Sequence, residues 1–181
     1  MSAFPDRLLR AAKLDPSLYE EVEKDETALG EAMSVVVAAS LAAAIGSGAA
    51  DGLGAAVLGV LLSVASWVAW SAVSYLVGTR ILPGPKTEAD VGQLLRTTGF
   101  AAAPGLLRLV GVIPGLREIA FLVAGGWMLA AMVVAVRQAL DYESTGRAVG
   151  VCMIGFLVQA LLLGFVLAAL HEAPTPAGET L

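Results

Sequence analysis

GLGAAVLGVLLSVASWVAWSAVSYLVGT, residues 52–79, decides the fold. The stretch carries no charge and is long enough to cross roughly 30 Å of hydrocarbon with some tilt. A strand of a soluble sheet never runs so long, and a soluble helix would show a polar face. Trp67, Trp70 and Tyr75 lie in its second half, where aromatic belts meet an interface, although Trp67 is deep for that role. Immediately before it, Ala32 to Ala50 is a second uncharged run of about 19 residues, enough for another crossing. The link between the two, Gly48–Gly54, contains Asp51 and three glycines and makes the runs antiparallel neighbours.

Further along, Pro83-Gly84-Pro85 forbids a helix in the loop Arg80–Asp90. Thr87-Glu88-Ala89-Asp90 reads as a helix start with Thr87 as the cap. The apolar segment that follows, 91–113, is the weakest. Its uncharged core, Thr97 to Leu107, encloses Ala103-Pro104-Gly105. A kinked span is expected here, with Arg96 and Arg108 reaching opposite surfaces; a re-entrant hairpin is the alternative. Pro114-Gly115 turns the chain into a span over about 117–136, and a charged loop from Arg137 to Arg147 leads to the last span, about 148–170. The expected fold class is all-α: a polytopic transmembrane helix bundle of five spans (about 32–50, 53–78, 91–113, 117–136 and 148–170) with an N-terminal amphipathic, acidic cytoplasmic helical segment, 1–30, and a disordered tail, 171–181.

Composition agrees with lipid as the main solvent. The chain has 181 residues, of which 57% are hydrophobic and only 15% charged, whereas soluble domains carry roughly 25% charged residues. The net charge of −5 gives no basic face for phosphates, so nucleic acid is not an expected partner. The lone Cys152 sits in an apolar run and reads as an inert thiol. The N-terminus has no short apolar core before a small-residue cleavage site, so the first apolar helix is expected to insert and stay.

The first 30 residues are polar. Phe4, Leu8 and Ala12 recur at helical spacing among Arg7, Arg10 and Lys13, a pattern suited to a helix lying on an anionic membrane surface. Asp15-Pro16 caps a second helix. Leu18, Val22 and Leu29 are expected on one side of it, and Glu20, Glu21, Glu23, Asp25 and Glu26 on the other.

Basic residues near span ends mark the cytoplasmic side. Five spans from a cytoplasmic N-terminus leave only Arg108 and Arg117 outside, while four spans leave only Arg137 and Arg147 outside. Charge therefore places the N-terminus but not the C-terminus. With five spans, the acidic helix and the loops at 80–96 and 137–147 share one side. Glu20, Glu23, Glu88, Asp90 and Asp141 then face Arg96, Arg137 and Arg147, flanked by Tyr19 and Tyr142. An ion-paired cap is the plain expectation. A surface for a protein partner, a lipid headgroup or a cation is the sharper one. Glu20 and Glu23 share a helix face and are the weak metal candidates, with no histidine beside them.

Small residues at four-residue spacing, Gly48/Gly52, Gly111/Gly115 and Gly146/Gly150, straddle turns and read as turn glycines rather than helix seams. Ser63, Ser66, Ser71 and Ser74, with Gln159 in the last span, read as packing groups. The clear spans hold no charge at depth, which argues against a pump. No His-Glu-x-x-His, phosphate-loop or Gly-x-Ser-x-Gly pattern is present, so no enzyme and no cofactor is expected.

Four stretches carry a resemblance: Leu14–Glu26 (LDPSLYEEVEKDE), Val77–Pro83 (VGTRILP), Thr87–Pro104 (TEADVGQLLRTTGFAAAP) and Val134–Val149 (VAVRQALDYESTGRAV). They resemble the bacterial branch of the Yip family, the Ypt/Rab-interacting membrane proteins. The resemblance implies five transmembrane helices, a cytoplasmic N-terminus and an external C-terminus, in the cell (inner) membrane. It also implies a non-enzymatic adaptor or scaffold whose partners are the lipid bilayer, another protein or a second copy of itself. The long N-terminal region of the eukaryotic members is replaced here by about 30 residues, so their link to Rab-type GTPases is not carried over automatically. An ion or metal transporter using the acidic helix is the alternative.

Overall fold

The structure, a computed structural model, describes residues 3–48 and 52–172, with side chains as far as 162. The centre of the turn expected around Asp51 and the tail expected beyond residue 172 lie outside the described residues. Regular structure among the described residues is helical: α1 (Phe4–Ala12), α2 (Pro16–Lys24), α3 (Ala28–Gly46), α4 (Gly52–Leu76), α5 (Val91–Phe100), α6 (Arg117–Ala139) and α7 (Thr145–Glu172). A π-turn, Val77–Ile81, extends α4, and a 3₁₀ helix, Ala103–Val112, follows α5. Four helical stretches, Ala28–Gly46, Gly52–Ile81, Arg117–Ala139 and Thr145–Leu162, are long and apolar enough to cross a membrane. The chain is a multi-pass membrane protein.

The third apolar segment is a broken rod. Pro104 removes a backbone donor, and the helix resumes with 3₁₀ bonding. Ten residues of α-helix and ten of 3₁₀ helix extend roughly 35 Å. The rod runs parallel to α3 along its length. Gly99 abuts Ala32, Gly105 abuts Ala39, and Gly111 meets Gly46. At the last crossing a Cβ on Gly46 would stand 1.9 Å from the carbonyl oxygen of Arg108, and a Cβ on Gly111 would stand 2.6 Å from that of Gly46. Gly111 is therefore a seam glycine, not the turn glycine expected. Its spacing partner Gly115, with φ +84°, does serve a turn.

The aromatic residues of α4 turn inward rather than marking an interface. Trp67 is buried and shares its indole N–H between the carbonyl of Leu95 and the hydroxyl of Thr98, both at 3.2 Å. Trp70 stacks obliquely on Phe156 of α7, with ring centroids 4.4 Å apart. Ser71 donates to the Trp67 carbonyl or meets Thr98 at 2.9 Å, and Ser63 donates to Ser40 at 3.0 Å. These serines bind α3, α5 and their own helix, as packing groups do. Cys152 is buried and free.

The N-terminal region corrects the sequence reading in two places. Asp15 does cap α2, accepting from the Ser17 N–H at 3.0 Å. That helix ends at Lys24, because Asp25 is extended and its side chain accepts from the Thr27 N–H. Leu18 and Val22 are buried, but Leu29 belongs to α3 and is exposed. Nor do the arginines of α1 face a membrane. Arg7 is buried and binds Glu21 (2.9 Å), Asp25 (2.7 Å) and Glu31 (2.8 Å). Arg10 binds Asp15 (2.9 Å) and Glu21 (2.6 Å). Carboxylates from α2 and its flanks engage both guanidiniums, while Leu9 points outward. Burial works against the Arg7 charge, yet the hydrogen bonds it donates to Glu31, Asp25 and Glu21 hold its pKa above the ordinary value.

Candidate functional site: a polar pocket on the cap

One face of the bundle gathers the start of α3, the π-turn after α4, the loop into α5 and the link between α6 and α7. α2 lies across this face, packed on α5 and α6. Its tether is Arg96, which is buried. The Arg96 guanidinium donates through Nε to the main-chain carbonyls of Val22 (3.0 Å) and Glu23 (3.2 Å), and through Nη2 to Glu23 again. These carbonyls end α2, where the helix leaves acceptors unpaired and carries partial negative charge. The expected carboxylate pairing of Arg96 is thus replaced by a backbone cap.

Arg137 also takes main-chain acceptors. It donates to the carbonyls of Tyr142 (3.2 Å) and Glu143 (3.4 Å) in the link that follows α6. Between the two loops the side-chain ion pair found among the described residues is Lys86–Glu143 at 3.0 Å, exposed on both sides. Such a surface pair contributes little to stability.

The two loops are stitched by their own polar groups. Tyr142 is buried, and its hydroxyl lies 2.7 Å from the Leu82 carbonyl and 3.1 Å from that of Gly78. Thr87 accepts from the Gly84 N–H (2.8 Å) and donates to the Leu140 carbonyl (2.9 Å). With its hydroxyl so engaged, Thr87 does not cap α5. Asp90 does, three residues later than expected, in a reciprocal capping box with Gln93. Asp141 sits at φ +49°, a left-handed position that aspartate tolerates better than most residues.

These contacts frame a polar pocket of about 440 Å³ lined by Glu20, Glu23, Lys24, Lys86, Arg137, Gln138, Asp141, Tyr142 and Glu143. Half of the residues singled out from sequence meet here: Glu20, Glu23, Arg137, Asp141 and Tyr142. Tyr19 does not, because its side chain is fully buried beneath α2. Arg96 and Asp90 hold backbone, and Glu88 and Arg147 are exposed outside the pocket. Lys24, Lys86, Gln138 and Glu143 were missed. Gln138 follows Arg137 directly in the sequence and donates to Glu20 at 2.9 Å.

Glu23 is the pocket's unusual group. It is buried and accepts from Gln93 at 3.0 Å. Burial, with Asp141 and Glu20 nearby, pushes its carboxyl up to about 7, against the opposing pull of Lys24 and Arg96. Among the described residues no group of three or more His, Cys, Asp or Glu could hold a metal ion.

A family model described as the Yip1 domain matches residues 16–168. No curated protein and no solved structure matches the chain significantly.

Proposed function

The chain belongs to the Yip1 domain family, and from that premise we propose that it is a non-enzymatic adaptor in the cell (inner) membrane. In this reading it engages a protein partner or lipid headgroups through the polar pocket on its cap. The observation that carries the proposal is the mixed-sign lining: Glu20, Asp141 and Glu143 beside Lys24, Lys86 and Arg137 around one concavity. Opposite charges interspersed in this way suit a polar, orientation-specific contact. The partner-facing groups are the exposed ones. Tyr19, Tyr142 and Arg96 support them from beneath.

The proposed topology has five crossings, an N-terminal helical segment over about 1–30 in the cytoplasm and an external C-terminus. Two observations support it. The broken third rod follows α3 from Ala32 to Gly46 instead of turning back. The pocket's Lys24, Lys86 and Arg137 share the face at which Arg80 and Arg147 end or begin their helices and at which Arg96 holds α2, whereas Arg108 and Arg117 lie toward the other face, as the charge rule requires of a cytoplasmic cap.

A photo-crosslinker at Glu20 or Lys86 tests the adaptor reading in whole cells. Capture of one discrete species that is lost on Arg137→Glu supports it. The rival is cation transport using Glu20 and Glu23. Saturable cation binding by calorimetry that vanishes in Glu20→Ala, Glu23→Ala protein would replace the adaptor with a transporter.

A further inference from the structure

The face opposite the cap carries a second site. There α4 and α7 part from the rest of the bundle. Leu53, Leu58, Leu61 and Leu62 on the first half of α4 are more than half exposed, as are Leu157 and Leu161 on α7. The stacked Trp70–Phe156 pair closes the crevice below. Above it lies a cavity of about 430 Å³ walled by α3, α4, the broken rod, α6 and α7.

The lining is mostly apolar but has a polar seam: Ser40, Ser63, Ser66, Gln159 and Arg108. Arg108 is the informative member. It stands one turn before the end of the 3₁₀ helix, beside Gly46 at the end of α3, and so just beneath the membrane surface. Its guanidinium lies 5.6 Å from the centre of the Phe121 ring. Its Nε is buried with no acceptor, and among the described residues no carboxylate pairs with it. Trp70, which is 6% exposed and lines the same cavity, also keeps an indole N–H without an acceptor. A cation at membrane depth is normally paired, and a buried donor left empty costs free energy. By contrast, Arg7 and Arg10 on α1 and Arg96 on α5 have acceptors supplied by the protein.

We propose that this crevice binds an anionic phospholipid from the leaflet opposite the cap. The headgroup phosphate pairs with Arg108. One acyl chain lies along Leu62, Met128, Met132 and Phe156, and Gln159 and the serines hydrogen-bond the ester region. The phosphate is the anion that the bilayer presents at this depth, and the apolar walls suit a chain attached to it rather than a free ion. This site stands apart from the cap pocket, so either can fail alone.

Native mass spectrometry of the full-length protein, titrated with phosphatidylglycerol and with phosphatidylcholine of the same chains, tests it. Wild type should prefer the anionic lipid, because in phosphatidylcholine the choline cation already neutralises the phosphate that Arg108 pairs with. Arg108→Gln should weaken that preference about tenfold, the loss of one charged hydrogen-bonded contact. Arg108→Lys should keep most of it, and Arg117→Gln, on the same face, should keep all of it. Ser66→Phe, which fills the crevice and leaves Arg108 in place, should reproduce the loss and covers the case in which Arg108→Gln does not fold. Equal binding of the two lipids, an Arg117→Gln loss as large as that of Arg108→Gln, or displacement of the lipid by inorganic phosphate alone would each overturn the proposal.

Discussion

Arg96 holds Glu23 by its backbone, not by its carboxylate. The guanidinium closes on the Glu23 carbonyl oxygen, and the Glu23 side chain is left to face Gln93, Asp141 and the pocket. One residue on α5 thereby fixes the end of α2 and, with it, the floor of the polar pocket.

Removing that tether should free α2 without unfolding the spans. Arg96→Ala leaves the terminal carbonyls of α2 buried without donors, at a cost of about 2 kcal/mol. Hydrogen exchange should speed up over residues 16–24 and stay at the wild-type rate in α6. Uniform acceleration along the chain would show that Arg96 supports the whole bundle instead.

The pH dependence of α2 docking has two limbs of opposite sign. Asp25 is held below the usual aspartate range by Thr27 and Arg7, and Asp15 by Arg10 and Ser17, so their contributions are lost as pH falls through those low values. Glu23 is raised to about 7 in the fold, so its contribution is fully present below its ordinary value and is lost as pH rises through 7. Docking should be firmest near about pH 4 to 5 and loosen toward pH 8. In Glu23→Gln protein the melting temperature should lose its decline between pH 5 and 8. An unchanged decline would assign that limb to another group.

The Gly46–Gly111 crossing admits no side chain. Gly46→Ala sets a methyl against the Arg108 carbonyl and must push the broken rod away from α3, which should destabilise the protein by about 2 kcal/mol. Gly125→Ala, where a Cβ meets nothing within 4 Å, is the control and should be neutral or slightly stabilising. Equal thermal stability of the two variants would mean that the rod is not pressed on α3.

Topology can be read from two loops. In a Cys152→Ser background, a cysteine replacing Pro114 should react with an impermeant thiol reagent in intact cells. One replacing Lys86 should react only after permeabilisation. Labelling of both under the same condition would mean that the third rod does not cross.

Much of this architecture was legible in the letters. Long uncharged runs such as 52–79 have one stable solution in lipid, and Asp15-Pro16 announces its helix. What was not legible has a common cause. Arg96 and Arg137 were read as partners of carboxylates because acidic side chains appear in a sequence, whereas main-chain carbonyls, their actual acceptors, have no letter. Thr87 misled for a related reason. Its cap signature was sound locally, but the Leu140 carbonyl, far along the chain, claimed its hydroxyl. The 3₁₀ stretch was invisible because Ala103–Val112 has the composition of any apolar helix, and only Pro104 hinted at a break. Within the site, the mixed charges near 20–24 and 137–143 were visible, but Lys86 entered through a loop path that no periodicity describes.

The parallel course of the broken rod and α3 bears on how the protein is made. Parallel neighbours joined through an intervening span cannot pair until that span has itself crossed. On the five-crossing reading, the rod is also the least apolar of the five, carrying Arg96 and Arg108 and interrupted by Pro104. Its entry into the bilayer therefore waits for a groove already lined by Ala32, Ala39 and Gly46. For this segment insertion and tertiary assembly are one event, and a chain from which α3 is deleted has no stable position for it.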